Sequence, residues 1–247
     1  MTRTAVVTGG GSGVGHAICT HLARAGHAVA VLDLDGEAAQ RVAAQITADG
    51  GRAVAVEVDV ARRESVAAAY ERVRAGFGPI SIVVPNAGVS TFTRFEQMTL
   101  EHWERTIAIN LTGTFNSIQL AIGDMLAQGW GRIVTISSAA GQSGSKKQAD
   151  YSASKGGVIQ LTKSVALEYA HKGITANSVP PFVVDTPLMR DQQAGGFIAG
   201  DEVLRQFIPA RRLGTGDDVA ATVAFLCSDA AGYITGQVIG VNGGAVL

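Results

Sequence analysis

Thr8-Gly9-Gly10-Gly11-Ser12-Gly13-Val14-Gly15 decides how this chain folds. It follows a short β-branched run, Thr4–Thr8, and opens a segment of helical period, Gly13–Ala25. A strand that turns through glycines into a helix gathers the helix's unpaired N–H groups at one point. A pyrophosphate bound there meets those groups and the positive end of the helix. Glycine permits the tight turn and lets phosphate approach where a Cβ would intervene. Glycines alone are weak support, because ordinary tight turns select them too. Two acids strengthen the case. Asp33 closes the second apolar run, 20 residues after Gly13, where a carboxylate can accept from ribose hydroxyls. Asp59, in Val58-Asp59-Val60 at the end of the third run, is placed to accept from an adenine amine.

Outward from that turn, strands are expected at Thr4–Thr8, His27–Asp33, Ala53–Val58, Ile80–Pro85, Arg132–Ser137, Thr175–Val179 and Gln237–Val241. Helices are expected at Gly13–Ala25, Gly36–Asp49, Arg63–Gly76, Leu100–Ala127, Ala149–His171 and Asp217–Ser228, with Thr99 as an N-cap. The strands are almost wholly apolar, as they must be when helices cover both faces of a parallel sheet. The fold class is therefore α/β: a single doubly wound Rossmann domain over residues 1–247, with a seven-stranded parallel sheet and helices on both faces. Thr186–Gly214, with Gly195-Gly196, Gly200 and Pro209, shows no regular pattern. It follows the sixth strand and so should cover the carboxyl edge of the sheet, where open α/β folds bind ligands. It is expected to be a substrate lid of low local stability.

Composition narrows the function classes. Of 247 residues, 47% are hydrophobic and 17% charged, enough for a sizeable core and against disorder. Lys plus Arg number 20 against 21 Asp plus Glu, so no basic surface for nucleic acid is expected. Cys19 and Cys227 are too far apart in sequence to suggest a disulfide framework or a cysteine metal site. His16, His21, His27, His102 and His171 lack ligand spacing, so no metal is expected. The first residues lack a signal-peptide pattern, and no apolar run approaches the ~20 residues that span a bilayer. A cytoplasmic protein acting on a small molecule, without membrane contact, is the expectation.

Tyr151-Ser152-Ala153-Ser154-Lys155 sets a phenol and an ammonium four residues apart on one helix face. A nearby cation stabilises phenolate and so lowers the tyrosine pKa toward the range useful for proton exchange with an alcohol or ketone. Taken alone, the spacing equally describes an amphipathic tyrosine beside a snorkelling lysine. Ser138 lies 13 residues upstream, just past the fifth strand, where its hydroxyl can polarise a substrate oxygen. Asn110 places a polar group inside an otherwise apolar helix.

With these residues in order, the chain resembles the short-chain dehydrogenase/reductase family over essentially its whole length. The resemblance rests on Thr-Gly-x3-Gly-x-Gly, on Asn86-Ala87-Gly88 after the fourth strand, and on Asn110, Ser138 and Tyr151-x3-Lys155. It implies a catalytic tetrad of Asn110, Ser138, Tyr151 and Lys155. Tyr151 would be the general acid/base, Ser138 would position the carbonyl or carbinol, Lys155 would hold the nicotinamide ribose, and Asn110 would anchor a water. The cofactor-binding residues it implies are Gly9, Ser12, Gly13, Val14 and Gly15, then Asp33, Leu34, Asp59 and Val60. Asn86, Ala87, Gly88, Pro181, Val184 and Thr186 complete the set with Tyr151 and Lys155. The cofactor is expected to be NAD, since Asp33 would repel a ribose phosphate and neither Ser12 nor Leu34 supplies a compensating cation.

The implied reaction is hydride transfer between NAD(H) and a secondary alcohol or ketone, with a 3-oxoacyl thioester reductase as the alternative. A non-catalytic dinucleotide-binding protein and a nucleotide-sugar epimerase fit less well: the tetrad is intact, and only 61 residues follow Thr186. Three departures from the family pattern stand out. Pro85 replaces the first asparagine of Asn-Asn-Ala-Gly, and Phe182 replaces glycine after Pro181. Gly129 sits where carrier-protein reductases tend to have a basic residue, although Lys172 matches another such position. Lys146-Lys147 either meets an anionic substrate or is a solvated loop. The resemblance also implies a homotetramer, to which Ile118, Ile122, Val158, Leu161 and Val165 could lend apolar surface.

Overall fold

Six of the apolar runs pair as parallel strands in the computed structural model, which describes residues 2–247. They are β1 (Thr4–Thr8), β2 (Ala28–Asp33), β3 (Arg52–Glu57), β4 (Ile80–Val84), β5 (Gly131–Ile136) and β6 (Ile174–Val179), in the order β3-β2-β1-β4-β5-β6. The helices are α1 (Gly13–Arg24), α2 (Gly36–Ala48), α3 (Arg63–Phe77), α4 (Leu100–Ile107), α5 (Gly113–Gln128), α6 (Ala140–Ser143) and α7 (Ala149–Tyr169). After β6 come α8 (Pro187–Ala194), α9 (Asp201–Phe207) and α10 (Gly216–Leu226). Every residue of β1, β4, β5 and β6 is buried, because helices cover both faces. One core layer packs α1, α2 and α10 on the sheet; the other packs α3, α5 and α7.

The sheet has six strands, not the expected seven. Gln237–Val241 runs parallel to β6, but only isolated bridges form, Ser178 with Val238 and Pro181 with Val241. Ser178 makes both ladder bonds, to Gln237 O and from Ile239 N. On one side the ladder stops at Pro180, which has no N–H to give. On the other, the Ala176 N–H goes to the Thr235 hydroxyl instead of a backbone carbonyl.

The expected single helix Leu100–Ala127 is broken in register. Thr99 caps it as expected, accepting from His102 N at 3.2 Å. Residues Ala108–Thr112 then widen into a π-helical turn between α4 and α5. Such turns concentrate at functional sites, and this one carries Asn110.

Thr186–Gly214 also differs from expectation, since it contains α8 and α9. Thr186 caps α8 by accepting from Met189 N, with Pro187 in the first turn. Arg190 binds Asp185 at 2.7 Å and Asp201 at 2.6 Å, tying the two helices together. Met189, Ile208 and Leu213 form a small separate core beneath them. Of the residues considered for a partner surface, Ile118 and Val158 are buried within the chain, and Ile122, Leu161 and Val165 pack against the core layer under α3, α5 and α7. The exposed apolar residues of α5 and α7 include Phe115 and Leu167. Among the described residues, no helix is long and apolar enough to cross a membrane.

Tyr70 joins α3 to α5. Its ring is fully buried and its hydroxyl donates to Ser117 O at 2.9 Å. Tyr70→Phe removes only that bond and should cost about 1 kcal/mol. Tyr70→Ala should cost about 3–5 kcal/mol by opening a cavity. Urea unfolding midpoints measure both, and an unchanged midpoint for Tyr70→Ala would remove this residue from the core.

Candidate active site

The strand order reverses direction between β1 and β4, so the connections beyond their carboxyl ends run to opposite sides of the sheet and leave a crevice. The Thr8 hydroxyl spans it, accepting from the Asn86 and Ala87 N–H groups at 3.0 and 3.1 Å. Asn86 returns two bonds from Nδ2, to Thr8 O and Gly9 O, both at 3.0 Å. Pro85 leaves this untouched; its carbonyl accepts from Ile136 N at 3.0 Å. The resulting cleft has a volume of about 710 Å³. Every cofactor-side residue expected from the sequence lines it, as do Ser138, Tyr151 and Lys155.

The glycine turn fits a nicotinamide dinucleotide. A Cβ on Gly15 would fall 1.9 Å from Gly9 O, so the turn can close this tightly only with glycine. Ser12 precedes α1 in extended conformation without a side-chain bond to the helix start, leaving the first N–H groups for a ligand. Asp33 is fixed at the other end: Oδ2 accepts from Gly11 N at 2.8 Å and Oδ1 from Asp35 N at 3.1 Å. Asp59 Oδ1 accepts from Ala61 N at 3.0 Å. Around Asp33, the lining residues Ser12, Leu34, Val58 and Asp59 include no cation. Arg41 lies along α2 beside Glu37 at 3.9 Å. Among the described residues, no cluster of three or more His, Cys, Asp or Glu is placed to hold a metal.

Asn110 departs from the rest by lying behind the cleft, fully buried. Its Oδ1 accepts from Val89 N at 2.8 Å, and Nδ2 donates to Val89 O at 2.9 Å and Ser154 Oγ at 3.1 Å. The side chain therefore clamps the loop after β4 to α7. Gly88 lies directly over it, where a Cβ would sit 3.1 Å from Asn110 Oδ1 and 3.4 Å from Lys155 Nζ.

Lys155 is buried and donates to Ile136 O at 2.9 Å, with Nζ 5.9 Å from the Tyr151 ring centre. Burial pulls its pKa down to about 8. The four-residue spacing predicts that this cation lowers the Tyr151 pKa, and the structure gives the opposite. Burial pushes the phenol above its ordinary value, partly offset by the Ser138 hydroxyl beside it. Tyr151 is thus protonated at neutral pH, the form that can donate to a carbonyl oxygen.

Beyond Tyr151 the cleft is lined by residues that sequence spacing did not single out. Phe92, in the loop after β4, stacks on Phe197 between α8 and α9, with centroids 5.6 Å apart and planes 5° from parallel. Gln192 of α8 donates to Ser90 O at 3.1 Å, and Gln148 donates to Ser90 Oγ at 2.7 Å. Phe182, whose direction the sequence left open, also faces this space. Apart from Phe182, these residues come from separate segments, so no local spacing could announce them.

The chain matches the family described as enoyl-(acyl carrier protein) reductase over residues 9–246. It is 42% identical to the 3-oxoacyl-[acyl-carrier-protein] reductase FabG of Staphylococcus aureus, across 100% of this chain and 99% of that one. It is 40% identical to the acetoacetyl-CoA reductase of Rhizobium meliloti, across 99% and 98%. The solved structure described as gox2181 superposes with a TM-score of 0.93 at 37% identity, covering 99% of this chain and 95% of that one.

Two variants probe the proton donor. Tyr151→Phe should lower kcat for ketone reduction by ~10²–10⁴ with the fold intact. In the wild type, kcat/KM should fall as pH rises through about 8, where Lys155 loses its charge. Lys155→Met should lack that limb. A near-wild-type kcat for Tyr151→Phe, or the same limb in Lys155→Met, would contradict the assignment.

Proposed function

The chain belongs to the short-chain dehydrogenase/reductase family, and from that premise we propose that it reduces a 3-oxoacyl thioester to the 3-hydroxyacyl thioester with NADH. That it is an oxidoreductase working between keto and CH–OH groups with a nicotinamide dinucleotide follows from the family. The reading beyond this rests on one observation above others: Tyr151 and the Ser138 hydroxyl line the cleft side by side, next to the buried Lys155. Two hydroxyl donors converging on one point suit a carbonyl oxygen, whereas the enoyl reduction in the family description acts on a carbon–carbon double bond. The names of the relatives move the substrate from a simple secondary alcohol, the main expectation from sequence, to the thioester alternative.

In this reading Ser138 donates to the substrate carbonyl and Tyr151 passes its proton to the same oxygen. The bound dinucleotide would supply the hydride. Lys155, Asn86 and the glycine turn would hold it, with Asp33 accepting from the adenosine ribose hydroxyls. A ribose phosphate would instead meet the fixed Asp33 carboxylate and no cation. NADH should therefore be preferred over NADPH by roughly 30–1,000-fold in kcat/KM, about 2–4 kcal/mol.

The same reading makes Thr186–Gly214 a substrate lid, closed by the Phe92–Phe197 stack and the Gln192–Ser90 bond. Hydrogen exchange over α8 and α9 should slow when cofactor and a thioester analogue bind; equal exchange would argue for a static cover.

The deciding assay follows NADH oxidation with acetoacetyl-CoA and with a simple cyclic ketone, then repeats both with NADPH. A higher kcat/KM for acetoacetyl-CoA and for NADH is expected, and Asp33→Ala with Leu34→Arg should reverse the cofactor preference. Turnover of the cyclic ketone alone would restore the secondary-alcohol reading. A wild-type preference for NADPH would show that Asp33 does not select the cofactor.

A further inference from the structure

Asp150, the residue before Tyr151, is fully buried in the first turn of α7. An acid in a first helical turn is favourable at the surface, but nothing in that effect requires it to be buried. Its Oδ2 accepts from Thr106 Oγ1 at 2.6 Å and lies 3.2 Å from His102 Nε2. Its Oδ1 has no hydrogen-bond partner. A buried carboxyl group with one oxygen unpaired is costly, and residues that serve stability alone rarely carry that cost.

The surroundings show what the group holds. Thr106 and Asn110 are four residues apart on α4 and the π-helical turn; Asp150 and Ser154 are four apart on α7. Thr106 donates to Asp150 at 2.6 Å, and Asn110 donates to Ser154 at 3.1 Å. These two bonds are successive rungs between the same pair of elements. Tyr151 and Lys155 each follow a rung residue directly, turned about 100° around α7 toward the cleft. His102 extends the upper rung. Its Nε2 also lies 2.6 Å from Thr91 Oγ1, between the cleft residues Ser90 and Phe92.

We propose that Asp150, gripped by Thr106 and His102, is a positioning residue that sets the height and rotation of Tyr151 against Ser138. The proposal rests on Tyr151 being the proton donor. Asp150 touches no reacting atom, so its loss should act on kcat through Tyr151 and leave substrate binding alone. Misplacement of a proton donor by a fraction of an ångström to 1 Å costs roughly 10- to 100-fold in rate.

The test is a double-mutant cycle with Asp150→Ala and Thr106→Val, read on kcat and KM for whichever ketone the wild type reduces. Each single variant should lower kcat about 10-fold with KM within about twofold, and the double variant should be no worse than the worse single one. Asp150→Asn and Thr106→Ser, which keep an oxygen on each side of the rung, should recover most of the rate. If either single variant keeps wild-type kcat, if KM carries the effect, or if the losses multiply, the proposal is overturned. Should Asp150→Ala fail to fold, the nearly isosteric Thr106→Val decides alone, together with recovery in Thr106→Ser. A wild type that reduces no ketone would refute the reaction reading itself. The positioning proposal is then judged on the ring-carbon NMR resonance of Tyr151, assigned by its loss in Tyr151→Phe. That resonance must move in both Asp150→Ala and Thr106→Val, and failure to move in either overturns it.

Discussion

The Thr8 hydroxyl is the interaction on which the site depends. It receives two backbone N–H groups from the far side of the crevice, from Asn86 and Ala87. β1 and β4 pair as far as Val7 and Val84, but the segments that follow them run to opposite sides of the sheet and leave a gap beyond the strand ends. Thr8 and Asn86 close it at the sheet's edge with four hydrogen bonds. The glycine turn hangs from one side of that joint and the loop Gly88–Val89 from the other. These bonds hold the glycine turn and that loop at a fixed separation across the cleft.

From the loop the constraint passes inward through Asn110. Both polar ends of its side chain are occupied by Val89 and Ser154, so the loop, the π-helical turn and α7 are tied together. The wider π turn accommodates this: Thr114 Oγ1 caps the Asn110 carbonyl at 2.8 Å. A regular helix through the same residues would rotate Asn110 relative to Thr106 and spoil one of the two contacts with α7. The irregularity in the backbone is thus what aligns the polar contacts.

Burial then decides the chemistry. Tyr151 and Lys155 both lie where charge is poorly solvated, so the phenol holds its proton and the ammonium gives its proton up more readily. The pair is poised as an acid, which suits reduction of a carbonyl. An exposed tyrosine with the same four-residue spacing would have an ordinary pKa and no directed partner.

Local spacing alone specified the fold class, the glycine turn and Asp33 at the end of β2, and it named residues that the fold gathers at one cleft. These are local matters: an apolar run, a turn that only glycine can make, and two residues one helical turn apart. It placed Thr99 correctly as a cap, for the same reason. Tertiary structure decided the rest. The seventh strand was lost because Pro180 and the Thr235 hydroxyl interrupt a ladder whose two sides are some sixty residues apart in sequence. The helices of Thr186–Gly214 depend on Arg190 meeting Asp185 and Asp201 in space. The direction of the Tyr151 shift required knowing what encloses the phenol, and the meeting of Phe92 with Phe197 required the fold. Spacing along a chain gives the periodicity of a surface, but burial and long-range pairing exist only once the surfaces have met.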